Sequence, residues 1–200
     1  MNLVVAKRPY RMTARADAAA ATAARILDAA SEVFWERPTE RISLEAVARR
    51  AGVTKQTVLR RFGSKSDLLA AALEREAERV RRERADASPG DVPGAVRVLV
   101  AHYERTGDAV LRLLAEEARD PALAALAARG RGYHLEWCER TFAPGLAGLA
   151  GAARDRRLAQ LVAVTDVYTW KLLRRDRGLS RRQTELALRE LLEPLAGGHR

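Results

Sequence analysis

Residues 43–69, SLEAVARRAGVTKQTVLRRFGSKSDLL, decide the fold class. Ser43 is a good N-cap for a short helix over 44–51, and Thr54 is one for a second helix that ends at Phe62. The glycine between the two helices lets the chain turn sharply, because glycine adopts backbone conformations closed to other residues. Two short helices joined in this way are typical of a helix-turn-helix.

The outer side of the second helix carries long hydrogen-bond donors. Between residues 37 and 65 there are eight basic and two acidic residues, a local charge of +6. Such donors suit phosphates and base edges in a major groove, and the helix N-termini at Thr54 and Ser64 add amide donors. A helical hairpin with a solvated basic face fits the same pattern. The candidate DNA-binding residues here are Lys55, Gln56, Thr57, Arg60, Arg61 and Lys65.

The basic residues are concentrated at one end of the chain. The 200 residues carry 36 Lys+Arg and 26 Asp+Glu, a net charge of +10, of which +7 belongs to residues 1–65 and +3 to the rest. This asymmetry favours a polyanionic partner for the first third. A solubilising surface with no partner is the alternative.

The composition excludes several protein classes. With 48% hydrophobic and 31% charged residues, the chain is typical of a folded globular protein, and collagen, coiled-coil and disulfide-rich secreted classes do not fit. The longest stretch without a charged residue, 141–153, is too short and too rich in glycine to span a membrane. The apolar run from Leu3 to Ala6 is too short for a signal peptide. The single cysteine, Cys138, forms no internal disulfide, and we expect a cytoplasmic protein.

Alanine, leucine and arginine dominate, and no stretch shows sustained strand-like alternation, so the sequence predicts an all-α fold. Capping boxes are predicted at Ser64 and Ser180. We place a connector, and with it the domain boundary, at residues 88–93. Helices are predicted over about 22–36, 64–87, 93–106, 108–119, 121–142 with an interruption at Gly130 and Gly132, a long segment ending near Gly178, and a final segment after Ser180, with a loop over 144–151.

Residues 23–73, AARILDAASEVFWERPTERISLEAVARRAGVTKQTVLRRFGSKSDLLAAAL, resemble the DNA-binding domain of the TetR family of transcriptional repressors. The match is nearly position by position over 44–69. Residues 165–192 also resemble the end of a TetR-type regulatory domain. One departure lies at Leu59, where the family commonly has a tyrosine, and we infer that Arg61 replaces the phosphate contact of that tyrosine.

The resemblance implies an N-terminal three-helix helix-turn-helix DNA-binding domain and a C-terminal helical domain that binds a small-molecule effector and dimerises. In these terms residues 1–21 form a basic arm, 22–87 the DNA-binding domain with its helix-turn-helix at about 43–62, and 93–200 the effector-binding and dimerisation domain. It further implies a homodimer on a pseudo-palindromic operator in double-stranded DNA, released by the effector. It assigns Thr54, Lys55, Gln56 and Thr57 to the groove-facing start of the recognition helix and Lys65 to a phosphate. Our predicted DNA-binding set adds Ser43, Arg60 and Arg61.

Apolar stripes near 154–177 and 180–195 predict the dimer interface, because one small domain does not readily bury both. Charges placed together at Leu188 and Leu192 are expected to separate such a dimer. Asp166, in the middle of an apolar segment, is either a polar residue of that interface or an effector-pocket group. The candidate effector pocket comprises Tyr103, Tyr133, Trp137, Phe142, Asp166 and Trp170, with plain core packing as the alternative for each aromatic residue.

Two further patterns resemble a metal site and a phosphate-binding loop but do not predict either. His134 and Cys138 have metal-ligand spacing, but two ligands make no site, and a buried histidine with an inert cysteine is the preferred interpretation. Gly145, Gly148 and Gly151 lack the preceding strand and following lysine of a phosphate-binding loop. No nucleophile–base pair, metal cluster or cofactor loop is present, so we expect no enzyme, no metal and no cofactor. The competing hypothesis is an enzyme or ligand-binding protein with a basic N-terminal module.

Overall fold

The computed structural model describes residues 8–37, 41–119 and 121–197. Within these ranges there is no β-strand, and the predicted all-α fold is confirmed. None of the described helices is long and apolar enough to cross a membrane. The α-helices of the described residues are α1 (Arg8–Glu36), α2 (Leu44–Ala51), α3 (Lys55–Phe62), α4 (Lys65–Ala85), α5 (Val92–Glu116), α6 (Pro121–Thr141), α7 (Ala143–Leu146), α8 (Gly151–Thr165), α9 (Val167–Lys171) and α10 (Arg181–Ala196).

The chain divides into two compact units, Met1–Glu76 and Ala77–Arg200. The division lies within α4, whereas the connector predicted at 88–93 separates α4 from α5. The domain limits inferred from the sequence stay a prediction.

Helix α1 is longer than predicted. It begins at Arg8 rather than near Thr22, so residues 8–21 of the expected N-terminal arm are helical, and residues 1–7 lie outside the described part of the chain. The physical reason is the alanine-rich run over 16–24, which has high helix propensity and no breaker. Pro9 is tolerated because it lies in the first turn, where its missing N–H would have no helical acceptor.

The first unit is built around apolar residues of α1 to α4. Ile26, Ala30 and Val33 keep helical spacing along α1 and are nearly inaccessible to water. Arg50 of α2 reaches back to α1, where its guanidinium donates to both carboxylate oxygens of Glu36 at 2.6 and 2.9 Å. The other apolar residues of this core are Ala29, Phe34, Ile42, Ala46, Val47, Ala48, Ala51, Val58, Leu68, Leu69 and Ala72.

Two predicted helix breaks in the second unit are wrong. Helix α5 runs unbroken through Gly107, and α6 runs unbroken through Gly130 and Gly132. A single glycine costs a helix only about 1 kcal/mol, which packing of the neighbouring apolar residues exceeds. Gly107 is itself buried, and a Cβ there would lie 2.4 Å from Cζ3 of Trp170. The absent side chain is therefore what lets α5 approach Trp170.

The predicted long segment ending near Gly178 is also divided. Asp166 has extended backbone (φ −71°, ψ 153°), and its carboxylate accepts a hydrogen bond from Tyr168 N at 2.8 Å. It thus caps α9, which a π-helical turn over Leu172–Asp176 follows. The segment 144–151, predicted as a loop, overlaps the short helix α7 (Ala143–Leu146). Gly145 packs so closely that a Cβ would lie 2.4 Å from Leu195 O.

The core of the second unit brings together α5, α6, α8, α9 and α10. The capping box predicted at Ser180 is confirmed, since its hydroxyl accepts from Gln183 N and the Gln183 side chain accepts from Ser180 N.

Leu188 and Leu192 of α10 are fully buried within their own chain. Charges at these two leucines would disrupt this core, so they are unsuitable for testing a dimer. Among the residues that the structure describes, the exposed large apolar ones are Leu135, Tyr168, Leu172, Leu186 and Leu191.

Candidate functional site

The corner between α2 and α3 is held by caps on both helices. The Ser43 hydroxyl accepts from Ala46 N at 3.1 Å, and the Thr54 hydroxyl accepts from Thr57 N at 3.2 Å. Gly52 lies in the left-handed region (φ 67°, ψ 36°), and the following amide of Val53 donates to Ala48 O at 3.0 Å. This closes the C-terminus of α2 and directs the chain into α3.

Helix α3 buries one side and exposes the other. Val58 is 1% exposed and anchors the inner side, whereas Lys55, Gln56 and Arg60 are exposed. The four residues at the start of the helix, 54–57, therefore present hydroxyl, ammonium and amide groups together. Such groups can bind both phosphates and base edges.

Two of the predicted DNA-binding cations contact other helices of the first unit. Lys55 Nζ forms an ion pair with Glu45 Oε1 of α2 at 2.5 Å, and this hydrogen bond is the main reason why the pKa of the Glu45 carboxyl is lowered. The Arg61 guanidinium donates to the backbone carbonyl of Ala19 in α1. Arg61 thus ties the end of α3 to α1, a contact that the sequence did not reveal.

Lys65 lies at the N-terminus of α4, where the Ser64 cap predicted from the sequence is present. Ser64 Oγ accepts from Asp67 N at 3.1 Å and donates to the Asp67 carboxylate at 2.6 Å. Lys65 is partly buried there. All eight predicted DNA-binding residues, 43 to 65, thus lie on α3, at the start of α4 or at the N-caps of α2 and α3.

Residues 26–72 match the family described as bacterial regulatory proteins, tetR family. The match covers α2, α3 and their two caps, which are the elements that form the candidate interface. Residues 26–72 thus form a domain of the tetR type. No curated protein sequence matches the chain.

Solved structures of transcriptional regulators share the fold over most of the chain. A regulator from Rhodococcus sp. Rha1 has a TM-score of 0.68 at 20% identity, covering 86% of this chain and 95% of that one. A regulator from Saccharomonospora viridis in complex with choline has a TM-score of 0.67 at 18% identity, covering 87% and 96%. SmeT in complex with triclosan has a TM-score of 0.63 at 26% identity, covering 87% and 91%.

The aromatic residues predicted for the effector pocket lie in the core of the second unit. Trp137, Phe142 and Trp170 are 0% exposed and Tyr103 is 5% exposed, whereas Tyr133 is partly exposed. Trp137 contacts Phe142 edge to face, with 5.7 Å between ring centroids, and Tyr103 lies 5.9 Å from Trp170. The two ring pairs belong to the same hydrophobic core, against which Tyr133 packs, and the assignment of these residues to an effector stays a prediction.

Asp166 is brought to the edge of the same cluster by its position between α8 and α9. Its carboxylate caps α9, as described above, and it contributes to raising the pKa of Tyr103, although burial is the main cause. The side chain of Asp166 is partly exposed. It is therefore both a structural cap and a neighbour of the predicted pocket residues.

A hydrogen-bonded chain runs through the cluster from a residue that sequence reasoning missed. Arg84 Nη1 lies 3.0 Å from His134 Nδ1, and His134 Nε2 lies 3.0 Å from Thr165 Oγ1. Because arginine can only donate, Nδ1 accepts and Nε2 carries the proton. The Thr165 hydroxyl then donates to Leu161 O at 2.7 Å. No pattern around Arg84 sets it apart from the other basic residues of α4, and only the structure shows its burial.

The surroundings of this hydrogen-bonded network explain the protonation states of His134 and Cys138. Burial, aided by the Arg84 cation, lowers the pKa of His134 to about 3, and burial raises the pKa of Cys138 to about 11. Cys138 Sγ lies 3.3 Å from Thr165 Oγ1. Over the described residues, no group of three or more His, Cys, Asp or Glu side chains is arranged to hold a metal ion. The pair is thus a neutral histidine beside a protonated thiol.

Proposed function

We propose that this protein is a transcriptional repressor of the TetR family that binds a pseudo-palindromic operator as a homodimer and leaves it when a small molecule binds the second unit. The observation that carries the proposal is the exposed start of α3, fixed by caps at Thr54 and Gly52 and followed by the basic pair Arg60 and Arg61. A rigid corner holds these donors at defined positions, as base readout requires.

In this proposal the DNA contacts fall into two groups. Lys55, Gln56 and Thr57 read base edges, while Arg60 and Lys65 contact phosphates. Ser43 and Thr54 contribute mainly by fixing the helices, because their hydroxyls cap α2 and α3. Arg61 contributes through its bond to Ala19 O and, when DNA is bound, by reaching a phosphate.

Exposed apolar residues support the homodimer. Leu186 and Leu191 of α10 are 51% and 49% exposed, and Leu172 in the preceding turn is 53% exposed. Burial of such side chains against a second copy contributes roughly 25 cal/mol per Å² of apolar surface. A two-fold pairing of helices from each copy would cover them and would place two α3 helices on two half-sites.

Small-molecule control is supported by the structures that share the fold, since two of those named above hold choline and triclosan. If the effector binds a state with poor operator affinity, linkage requires that operator and effector weaken each other's binding by the same factor. A ligand-responsive regulator of this kind acts on DNA in the cytoplasm. An enzymatic role has no support from a catalytic constellation in the described residues.

Selection of binding sites from random double-stranded DNA with the full-length protein tests the proposal. The expected result is a two-fold symmetric consensus, bound by a species with twice the 22.1 kDa chain mass in sedimentation. Leu186→Glu combined with Leu191→Glu should yield a folded monomer with much weaker operator binding. Arg182→Glu, at an exposed polar position of the same helix, is the matched control. A selection that enriches no sequence would overturn operator recognition, and a wild-type monomer would overturn the dimer.

A further inference from the structure

A buried arginine near the end of α4 has no acidic partner. Arg84 is 3% exposed, Nη1 donates to the neutral His134, and Nε is buried without a hydrogen-bond acceptor. None of the ion pairs formed by the described residues includes it. A buried charge without a counter-ion is costly, because its lost hydration is not replaced.

The titratable groups around Arg84 do not supply the missing negative charge. Burial raises the pKa of Tyr103 to about 12 and that of Cys138 to about 11, so both are protonated near neutral pH. His134 is neutral there as well. The Asp166 carboxylate accepts from Tyr168 N and forms no ion pair with Arg84. The cluster therefore holds a cation that no carboxylate of the described residues contacts, while the Asp166 charge acts on the cluster only from its edge.

Aromatic rings enclose the guanidinium. Its carbon lies 4.9 Å from the ring centroid of Trp137, 5.7 Å from that of Tyr103 and 5.8 Å from that of Tyr133. These cation–π contacts offset part of the desolvation cost. Arg84 Nε remains without an acceptor, so the guanidinium keeps one unused donor inside the cluster.

We propose that the effector is an organic monoanion, a carboxylate with an apolar body, whose carboxylate pairs with Arg84 while its body packs on Tyr133, the partly exposed ring beside the guanidinium. A carboxylate has two acceptor oxygens in the plane that a guanidinium recognises, and its single charge balances the single cation. A dianionic phosphate would instead leave one negative charge unbalanced in the same interior. Tyr133, the partly exposed member of the three aromatic residues, marks the side from which the ligand enters.

This inference rests on the proposed effector control, and it is tested on the protein alone, without DNA. Benzoate, phenylacetate, hexanoate and decanoate are each compared with the primary amide of the same body by isothermal titration calorimetry and thermal unfolding. At least one acid should bind and raise the melting temperature, and its amide should bind at least about tenfold more weakly, as expected for loss of a buried charge-assisted bond. If no acid binds better than its amide, the inference is overturned.

Two substitutions at Arg84 sharpen the test. Arg84→Met keeps a long side chain but removes the cation, and it should abolish the difference between acid and amide while raising the melting temperature of the unliganded protein. Arg84→Lys keeps the charge and should retain part of that difference. The matched control is Arg97→Met, at an exposed position of α5. It should leave both the difference between acid and amide and the melting temperature of the unliganded protein unchanged. Acid binding that survives Arg84→Met overturns the assignment, and the comparison on the wild-type protein stands even if a variant does not fold.

The two proposals fail in distinguishable ways. If random DNA yields no consensus but acids bind through Arg84, the operator proposal fails and the ligand assignment stands. If a consensus is selected and only amides or other neutral molecules displace the protein from it, regulation stands and the carboxylate assignment falls.

Discussion

Gly107 and Trp170 are in direct contact within the second unit, since a Cβ on Gly107 would lie 2.4 Å from Cζ3 and 2.7 Å from Cη2 of the indole. Trp170 is fully buried, and its Nε1 donates to Glu104 Oε1 at 3.3 Å, one turn before Gly107 on α5. The indole is therefore fixed by a hydrogen bond on the helix that it packs against, and it has little room to move away.

Gly107→Ala should consequently destabilise the protein, although alanine is the better helix former. The methyl group forces Trp170 or α5 to shift, at a cost of roughly 1–3 kcal/mol for overpacking. Gly130→Ala in α6 is the matched control, because a Cβ there meets no heavy atom within 4 Å. The control should stabilise by about 0.5–1 kcal/mol. Urea unfolding of both variants measures the two free energies, and equal effects would contradict the contact.

Stability should fall in acid because two histidines are buried in the neutral state. The pKa of His134 is lowered to about 3, and burial lowers the pKa of His102 well below its ordinary value. The unfolded chain takes up these protons below about pH 6.5 and the folded chain does not, so the free energy of unfolding decreases by about 1.4 kcal/mol per pH unit per histidine as pH falls. Above about pH 6.5 neither histidine contributes a pH dependence.

His134→Gln isolates one of these two protons. Glutamine can accept from Arg84 and donate to Thr165, so the hydrogen-bonded chain is retained without a titrating group. Between about pH 7.5 and pH 5 the variant should lose about 2 kcal/mol less stability than the wild type. His102→Gln should act in the same direction through the other histidine. A variant with the same acid sensitivity as the wild type would show that His134 is protonated in the folded state.

The helix-turn-helix is predictable from the sequence because its signals are local. Ser43, Gly52 and Thr54 each fix a helix end through contacts within a few residues, and the structure shows all three in those roles. The predicted bounds of α2 and α3 agree with the structure for the same reason.

The second unit is less predictable because long-range packing decides it. Gly107 and Gly130 are both helical, although glycine alone favours a break, and only the partner across the core distinguishes them. Leu188 and Leu192 fit an interface stripe in the sequence but are buried in their own chain. Arg84 is one of many arginines in α4, and its burial depends on α6, some 50 residues further along. No local pattern contains that information.

Glu45 should lower the affinity for DNA if α3 is the recognition helix. Its carboxylate holds Lys55 and places a negative charge beside the proposed interface. Glu45→Gln releases the lysine and should tighten operator binding by roughly two- to fivefold at low salt, with a smaller gain at high salt because screening weakens the interaction. Glu78→Gln, on an exposed part of α4 beyond the matched family segment, is the control. Equal affinities for the Glu45 variant and the wild type would argue that Lys55 does not approach DNA.

The two kinds of proposed DNA contact should respond differently to substitution. Lys55→Ala and Gln56→Ala remove donors from base edges, and each should cost about 1–3 kcal/mol on the selected operator, with a smaller loss on scrambled DNA. Lys65→Ala and Arg60→Ala remove phosphate contacts, so each should weaken binding to both duplexes alike and reduce the log–log salt slope by about one.

Competition binding with operator and scrambled duplexes at two salt concentrations distinguishes these cases. Phosphates recur at every step of the duplex, whereas a pattern of base donors and acceptors belongs to one step, so only the base-reading variants should lower the ratio of operator to scrambled affinity. Arg61→Ala is informative in addition, because it also removes the contact with Ala19 O and should lower the melting temperature, which Arg60→Ala should not. If Lys55→Ala and Gln56→Ala both leave the affinity ratio unchanged, the start of α3 does not read the bases, and recognition must lie elsewhere on the first unit.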